Sequence, residues 1–297
     1  MIYKSAVEWG SARNMRVLFF GMSGVGKTHI SSLLRATGDW FHYSIDYRIG
    51  THYMGEHIVD NFKCEAMRNA FLAKLLKSDS IYIASNITFG NLAPLSTYIG
   101  KPGNPDKGGI PYAEYVRRQR LHRSAELNAL RDTSHFIDRA ARIYRYPHFV
   151  CDSSGSICEV VDPESDGDGL LENLSRHLLF VWIREGPHHT EKLQERYRKN
   201  PKPMYYREGF LEFHWRAYLE QNGVTETEVD PDEFSCWIYG KALDARQSRY
   251  EAIARNWGVI LNAADVVGTE SEAECCRLIG QAIDARENSL GAEAGGG

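Results

Sequence analysis

Short runs of apolar residues alternate along the chain with longer segments in which apolar residues recur every three or four positions. Runs of the first kind are typical of strands buried on both faces of a parallel sheet. They lie at residues 15–20, 148–152, 178–183 and 258–261. Residues 41–49, where Tyr43, Ile45 and Tyr47 alternate with other residues, predict a further strand. The longer segments between them are typical of amphipathic helices. Because strands and helices alternate, the sequence predicts an α/β three-layer sandwich with a five-stranded parallel sheet and crossover helices on both faces.

The helical periodicity predicts helices after the first strand and over four longer stretches. These stretches are residues 55–77, 111–131, 242–256 and 271–286. The segment 81–98 fits either a strand or a loop. Residues 100–109 contain four glycines and two prolines, which predicts a loop. The glycine- and alanine-rich residues 291–297 predict a disordered tail.

Composition narrows the class of protein. The 297 residues are 43% hydrophobic and 25% charged, which excludes disorder over the whole chain. A net charge of -4 argues against a protein built mainly to coat nucleic acid. The longest apolar run has six residues and falls short of the ~20 that a membrane-spanning helix needs. Six cysteines without a C-x-x-C pair predict reduced thiols with no metal-binding role. We therefore expect a cytoplasmic protein with neither a membrane nor a nucleic acid as its partner.

The glycine-rich segment after the first strand carries the clearest chemical signal. Residues 21–28 read GMSGVGKT and match the pattern G-x-x-x-x-G-K-[ST]. The glycines let the backbone curl so that successive N–H groups face phosphates, and the following helix adds the positive end of its dipole. The lysine is expected to reach the β and γ phosphates, and the threonine hydroxyl to ligate Mg²⁺. The expected nucleotide-binding residues are Gly21, Ser23, Gly24, Val25, Gly26, Lys27, Thr28 and His29.

This loop resembles that of the P-loop NTPase superfamily. With its additional Gly24, GMSGVGKT is most similar to the loop of P-loop small-molecule kinases such as the nucleoside, shikimate and gluconate kinases. The resemblance implies a five-stranded parallel sheet, ATP and Mg²⁺ at the loop, and a small-molecule phosphate acceptor under a mobile lid. The chain has no N-K-x-D guanine motif and no LSGGQ-like signature, although residues 152–155 fit D-x-x-G.

Two acidic residues lie where predicted strands end and are candidates for the chemistry of phosphoryl transfer. Asp152 closes the third predicted strand and is expected to hold Mg²⁺; an alternative is a capping role in a turn. Asp46 lies near the end of the second predicted strand, where the resemblance implies contact with the acceptor or help with the metal. Arg48 lies two residues on, on the same side of an extended strand, and could hold an anionic group of the acceptor. A structural ion pair between Asp46 and Arg48 is the alternative.

A basic tract follows the fourth predicted strand. In the kinases that this chain resembles, the segment at this place forms a lid whose arginines neutralise charge on the transferred group. Arg196 and Arg198 are the candidates, with ordinary solvated arginines as the alternative.

We expect one domain over residues 1–290, with the lid at 185–213 and an insert at 81–146. The leading prediction is an ATP-dependent kinase. The alternative is an ATPase that acts on a macromolecular partner through the insert's basic helix, which contains Arg117 and Arg118.

Overall fold

The computed structural model describes residues 1–165 and 169–294. Its sheet has five parallel strands in the order β2-β3-β1-β4-β5. The strands are β1 (Arg16–Phe20), β2 (Trp40–Ser44), β3 (His148–Asp152), β4 (Leu179–Arg184) and β5 (Gly258–Asn262). Helices connect and flank these strands, so the predicted α/β fold with a five-stranded parallel sheet is confirmed.

The helices occupy most of the remaining described residues. The first seven are α1 (Ala6–Ser11), α2 (Lys27–Ala36), α3 (Ile45–Arg48), α4 (Gly55–Met67), α5 (Ala70–Lys77), α6 (Ala93–Ile99) and α7 (Tyr112–Arg142). The next seven are α8 (Ile157–Val160), α9 (Gly169–Ser175), α10 (Pro187–Lys199), α11 (Glu208–Asn222), α12 (Pro231–Trp257), α13 (Ala263–Val267) and α14 (Glu272–Ala294). A π-helical turn spans Ile49–Tyr53 and a 3₁₀ turn spans Pro105–Lys107. Among the described residues, no helix is both long and apolar enough to cross a membrane.

The chain divides into two compact units. The first contains residues 1–45, 130–196 and 239–297, and it includes the whole sheet. The second contains residues 46–129 and 197–238. The sequence predicts one domain with an insert at 81–146 and a lid at 185–213. The second unit begins at Asp46, shortly after β2, and also takes in residues 197–238, while the bounds of the insert and the lid stay predictions. Of the expected disordered tail, residues 291–294 continue α14, and residues 295–297 lie outside the described part.

The core of the first unit is built on the two central strands. Val17, Leu18, Phe19 and Phe20 of β1 are all fully buried, because helices cover both faces of the sheet. The ring of Phe20 meets the ring of Phe180 of β4 edge to face, with 6.1 Å between their centroids. Uninterrupted apolar runs, and not alternating ones, are therefore the sequence signal of these strands.

The core of the second unit ties α7 to the segment between α10 and α11. The Tyr115 hydroxyl and the Gln119 side-chain amide donate to the carbonyl of Met204, at 2.9 and 3.1 Å. The Gln119 side chain also accepts from the backbone N–H of Tyr206 at 2.9 Å. Because both polar groups of Gln119 are satisfied in this buried position, they fix the path of a segment that has no regular secondary structure.

One predicted strand is too long. The pattern at residues 41–49 predicts a strand through Ile49, but β2 ends at Ser44 and the chain turns into α3. Asp46 and Arg48 are therefore helical. Residues two apart on a helix are rotated by about 200°, so these two side chains do not share a side as they would in an extended strand. Short alternating patterns of this kind do not separate strand from helix reliably.

Candidate nucleotide-binding site

The loop between β1 and α2 requires its glycines for two separate reasons. Gly21, Gly24 and Gly26 have φ values of +138°, +93° and +104°, a region that residues with a Cβ rarely adopt. A Cβ on Gly21 would also lie 2.5 Å from the carbonyl oxygen of Ile183 in β4. A Cβ on Gly26 would lie 3.0 Å from a methyl group of Val266 in α13. The curl of the loop and its close contact with neighbouring elements therefore both depend on glycine.

The curled loop presents a set of backbone donors. Within the part of the chain that the structure describes, the N–H groups of Ser23, Gly24, Val25 and Gly26 donate no hydrogen bond. Helix α2 begins directly after them, and no side chain caps its N-terminus. Backbone donors at the positive end of a helix dipole form a binding site for an anion such as phosphate.

Lys27 lies folded over this loop. Its side chain is 7% exposed, and Nζ donates to the carbonyl oxygens of Gly21 at 2.9 Å and Met22 at 2.8 Å. A buried ammonium group needs such acceptors, because desolvation without them costs several kcal/mol. Phosphate oxygens are stronger acceptors than carbonyl oxygens. The ammonium group is therefore held beside the place where the loop would bind phosphates.

Thr28 and Asp152 bring the loop and the neighbouring strand together. Asp152 ends β3 and pairs in register with Phe19 of β1. The Thr28 hydroxyl donates to its Oδ2 at 3.1 Å, and the Asp152 side chain is 8% exposed. Two protein oxygens, completed by water and phosphate, are a donor set that Mg²⁺ prefers. These residues therefore fit the metal that the loop implies. In the described ranges, no group of three His, Cys, Asp or Glu side chains could hold a metal ion.

His42 also belongs to this neighbourhood, although nothing in the sequence marks it. It lies on β2, is buried, and has Nε2 3.9 Å from Oδ2 of Asp152. Burial, together with the charge of Arg35, lowers the pKa of His42 to about 4. The imidazole is consequently neutral near pH 7, and its approach to Asp152 is not an ion pair at that pH. A single histidine in an apolar strand gives no sequence signal for this position.

The segment after β3 packs against the glycine-rich loop of residues 21–28, which we call the phosphate loop. The backbone N–H of Ser153 donates to the carbonyl of Phe19 at 3.1 Å. Gly155 approaches the loop so closely that a Cβ on it would lie 3.2 Å from the backbone nitrogen of Ser23. The D-x-x-G match at residues 152–155 thus corresponds to a real contact between two loops of the site.

Of the two expected lid arginines, the structure brings one to the phosphate loop. Arg196 lies on α10, and its guanidinium carbon is 3.1 Å from the position that a Cβ on Gly24 would take. A methyl group of Leu193, one turn earlier, is 3.4 Å from the same position. Arg198 belongs to the second unit, where its charge acts on the Cys236 thiol. Both arginines are exposed.

The other expected residues lie as follows. The Nε2–H of His29 donates to the carbonyl oxygen of Thr269 at 3.1 Å, so its side chain faces the segment after α13. Asp46 and Arg48 belong to the second unit, and the Arg48 guanidinium lies 5.4 Å from the centre of the Tyr53 ring. Roles for Asp46 and Arg48 in acceptor binding stay predictions.

Three arginines of the predicted basic helix pair with two glutamates. Arg117 and Arg118 of α7 both donate to Glu114 at 2.7 Å, and Arg120 pairs with Glu208 of α11. The hydrogen bond from Arg117, with that from Arg118, lowers the pKa of Glu114 to about 2. These side chains therefore contribute less positive charge to the surface of the second unit than the sequence suggests.

The five-stranded parallel sheet with flanking helices, in which the strand carrying Asp152 lies directly beside β1, is consistent with a P-loop kinase-like fold. The sequence matches no protein-family model and no curated protein. Among solved structures, a shikimate kinase from Bacteroides thetaiotaomicron aligns over 93% of this chain and 96% of its own. That pair has 14% sequence identity and a TM-score of 0.37. A likeness at this level carries no information about activity or substrate.

Proposed function

We propose that the protein is an Mg-ATP-dependent phosphotransferase that acts on a small-molecule acceptor. The observation that carries this proposal is the Thr28–Asp152 contact of 3.1 Å beside a loop whose backbone donors have no acceptor among the described residues. Backbone N–H groups that bind phosphate and oxygens that bind a metal ion are needed side by side where a phosphate chain binds together with a cation.

Binding of the triphosphate uses groups that are already in place. The N–H groups from Ser23 to Gly26 and the start of α2 receive the phosphate oxygens. The Lys27 ammonium exchanges its two carbonyl acceptors for oxygens of the β and γ phosphates. Because donors and charge are preorganised, little reorganisation is required when the nucleotide binds.

Thr28 and Asp152 would hold the cation, which supplies positive charge that neutralises the phosphate oxygens. Asp152 is held by β3 and Thr28 by the first turn of α2. Rigid elements therefore fix both ligands relative to the loop.

Arg196 is the residue that, in our proposal, stabilises the transferred phosphoryl group. Its guanidinium lies against Gly24, and its long exposed side chain can follow charge that develops on the equatorial oxygens. In our proposal, Asp46 accepts the proton of the attacking hydroxyl, and Arg48 binds an anionic group of the acceptor. Both roles are those that the resemblance to small-molecule kinases implies. A carboxylate and a guanidinium suit an acceptor that has both a hydroxyl and a negative charge.

The alternative, an ATPase driven by a macromolecular partner, needs a basic surface. The ion pairs of Arg117, Arg118 and Arg120 reduce the positive charge of that surface, which favours the kinase.

The test is ATP consumption by the purified chain, alone and with hydroxylated acids, sugars and nucleosides. A kinase should hydrolyse ATP slowly alone, well below the ~1–100 s⁻¹ typical of kinases, and form a phosphorylated product with the correct acceptor. Stimulation only by a protein or nucleic acid, with free phosphate as sole product, would contradict the proposal.

A further inference from the structure

A buried ion pair lies behind the phosphate loop and has no part in the assignments above. Arg246 of α12 is 0% exposed, and its Nε donates to Oε1 of Glu159 in α8 at 2.9 Å. The Glu159 side chain is also buried. Both residues belong to the first unit. The pair therefore connects two helices of the unit that carries the sheet.

The same arginine holds the loop that follows β3. Its Nη1 donates to the carbonyl oxygen of Gly155 at 3.3 Å and lies 4.0 Å from the sulfur of Met22. The hydroxyl of Tyr250, one turn further along α12, donates to the same Gly155 carbonyl. Two side chains of one helix thus converge on one carbonyl, and both also contact the sulfur of Met22 in the phosphate loop, the Tyr250 hydroxyl at 3.6 Å.

Gly155 is placed where its own N–H can serve the nucleotide. It packs against the backbone nitrogen of Ser23, and its N–H donates no hydrogen bond in the ranges 1–165 and 169–294. It also follows Asp152 by three residues, at the end of the site where the cation ligands lie. Thr28 and Asp152 would hold a cation that neutralises the phosphate chain, so this end of the site would receive the terminal phosphate.

The energetics of the Arg246–Glu159 ion pair indicate that it positions neighbouring groups and does not mainly stabilise the fold. Replacing a buried ion pair by apolar side chains of similar volume is often neutral or stabilising, so burial of Arg246 and Glu159 is weak evidence for a role in stability. A planar guanidinium, however, fixes its acceptors at defined angles. Arg246 uses separate nitrogens for the Glu159 carboxylate and the Gly155 carbonyl.

We propose that Arg246 is a positioning residue that seats residues 152–155 against the phosphate loop and so lets the site distinguish a nucleoside triphosphate from a diphosphate. The inference rests on the proposed nucleotide-binding function, because it needs a phosphate chain at the loop. Glu159 orients the guanidinium, and Tyr250 supports the same carbonyl. Loss of the Arg246 contact would let Gly155 move away from the terminal phosphate and would leave the inner phosphates unaffected.

The test compares binding of a non-hydrolysable ATP analogue and of ADP, each with Mg²⁺, by calorimetry. Arg246→Lys keeps a charge for Glu159 but loses the second nitrogen that reaches Gly155. It should weaken the triphosphate analogue about tenfold while ADP affinity stays within about twofold. Tyr250→Phe removes only the hydroxyl and should shift the same ratio by a smaller factor.

Arg249→Lys is the matched control. Arg249 lies on the same helix and donates to the carbonyls of Cys158 and Val161, away from Gly155. This variant should leave the ratio of the two affinities unchanged. If Arg246→Lys unfolds the protein, as its thermal melt would show, Tyr250→Phe decides the question, because it keeps the ion pair.

The outcomes separate this inference from the proposed function. Equal weakening of both nucleotides in Arg246→Lys, or the same ratio change in Arg249→Lys, overturns the positioning role while nucleotide binding stands. An unchanged ratio in a folded Arg246→Lys variant does the same. If the unaltered protein binds neither nucleotide, the proposed function fails, and this inference fails with it.

Discussion

The hydroxyl of Thr28 donates to the carboxylate of Asp152 across 3.1 Å, which joins the first turn of α2 to the carboxyl end of β3. The two residues are 124 positions apart in the chain. Parallel pairing of β1 with β3 brings them together, because both strands end at the same edge of the sheet. The contact links the phosphate loop to the metal-binding acid that the proposed reaction requires.

Removing either oxygen should weaken the cation site. With Thr28→Ala or Asp152→Ala, the Mg²⁺ concentration needed for half-maximal ATP binding should rise about tenfold or more, since the cation loses one of its few protein ligands. A magnesium titration of ATP binding measures the effect. Ser32→Ala, on the exposed side of α2, is the control and should behave like the unaltered protein. Unchanged magnesium dependence in both variants would remove this pair from the metal site.

Lys27 should contribute directly to ATP affinity. Lys27→Ala removes the ammonium group that the loop holds beside the phosphates, so calorimetry should show at least a tenfold loss, about 1.4 kcal/mol. Lys63→Ala on α4, where the lysine is exposed, should bind ATP normally. Full ATP affinity in a folded Lys27→Ala variant would contradict the assignment of the loop as the nucleotide site.

Arg196 and Arg198 form a matched pair on one basic tract. Since Arg196 contacts the phosphate loop within the first unit, Arg196→Ala should lower acceptor-dependent turnover by about 10- to 100-fold with little change in ATP affinity. Arg198→Ala should have a smaller effect. Steady-state kinetics with the identified acceptor measure both. Equal losses in the two variants would mean that the guanidinium over Gly24 has no special role.

Asp46→Asn should separate binding from chemistry. If Asp46 accepts the proton of the attacking hydroxyl, the variant should keep ATP affinity within a few fold and lower turnover by roughly 100-fold. Calorimetry and single-turnover kinetics give the two numbers independently. Loss of ATP affinity and turnover together would place Asp46 with the metal instead.

The stability of the fold should fall as the pH drops. The pKa of His42 is about 4 in the folded state and near 6.5 in an unfolded chain, so the unfolded state takes up its proton first. The free energy of unfolding should therefore be retained above pH 6.5 and decrease towards pH 4. The share due to His42 is about 2 kcal/mol at pH 5.

Urea denaturation at pH 7 and pH 5 measures this dependence. His42→Gln does not titrate in this range, so it should lose less stability between the two pH values than the unaltered protein does. His57→Gln, at an exposed position on α4, is the control and should follow the unaltered protein. An identical pH dependence in His42→Gln would show that this imidazole is not what makes the fold sensitive to acid.

The strands of the sheet and the glycine-rich loop could be predicted from short stretches of sequence. Uninterrupted apolar runs mark buried strands, and the glycines of residues 21–26 are required by the positive φ values that the loop adopts. Asp152 was also predictable, because an acid that closes a buried strand next to β1 must lie at the edge where the loop begins. Each of these signals depends on residues that are close in sequence.

Other features depend on contacts that no local pattern records. The Arg246–Glu159 pair joins residues 87 positions apart, and neither residue stands in a recognisable motif. His42 becomes part of the site only through the pairing of β2 with β3. The helical conformation of Asp46 was missed because four residues are too few for a pattern to separate helix from strand. The division into two units is likewise invisible, since the second is assembled from two distant segments.

The strand order also has a consequence for how the chain reaches its folded state. No two of the five strands in the described residues are joined by a hairpin, and β1 at residues 16–20 pairs with β3 at 148–152 and β4 at 179–184. Pairings this distant in sequence form slowly, because a long loop must close before any contact stabilises it. During synthesis, the apolar residues of β1 therefore stay without a strand partner until the ribosome has released residue 152. A chain truncated before that point would expose an aggregation-prone segment, which makes early termination more damaging here than in a protein built of hairpins.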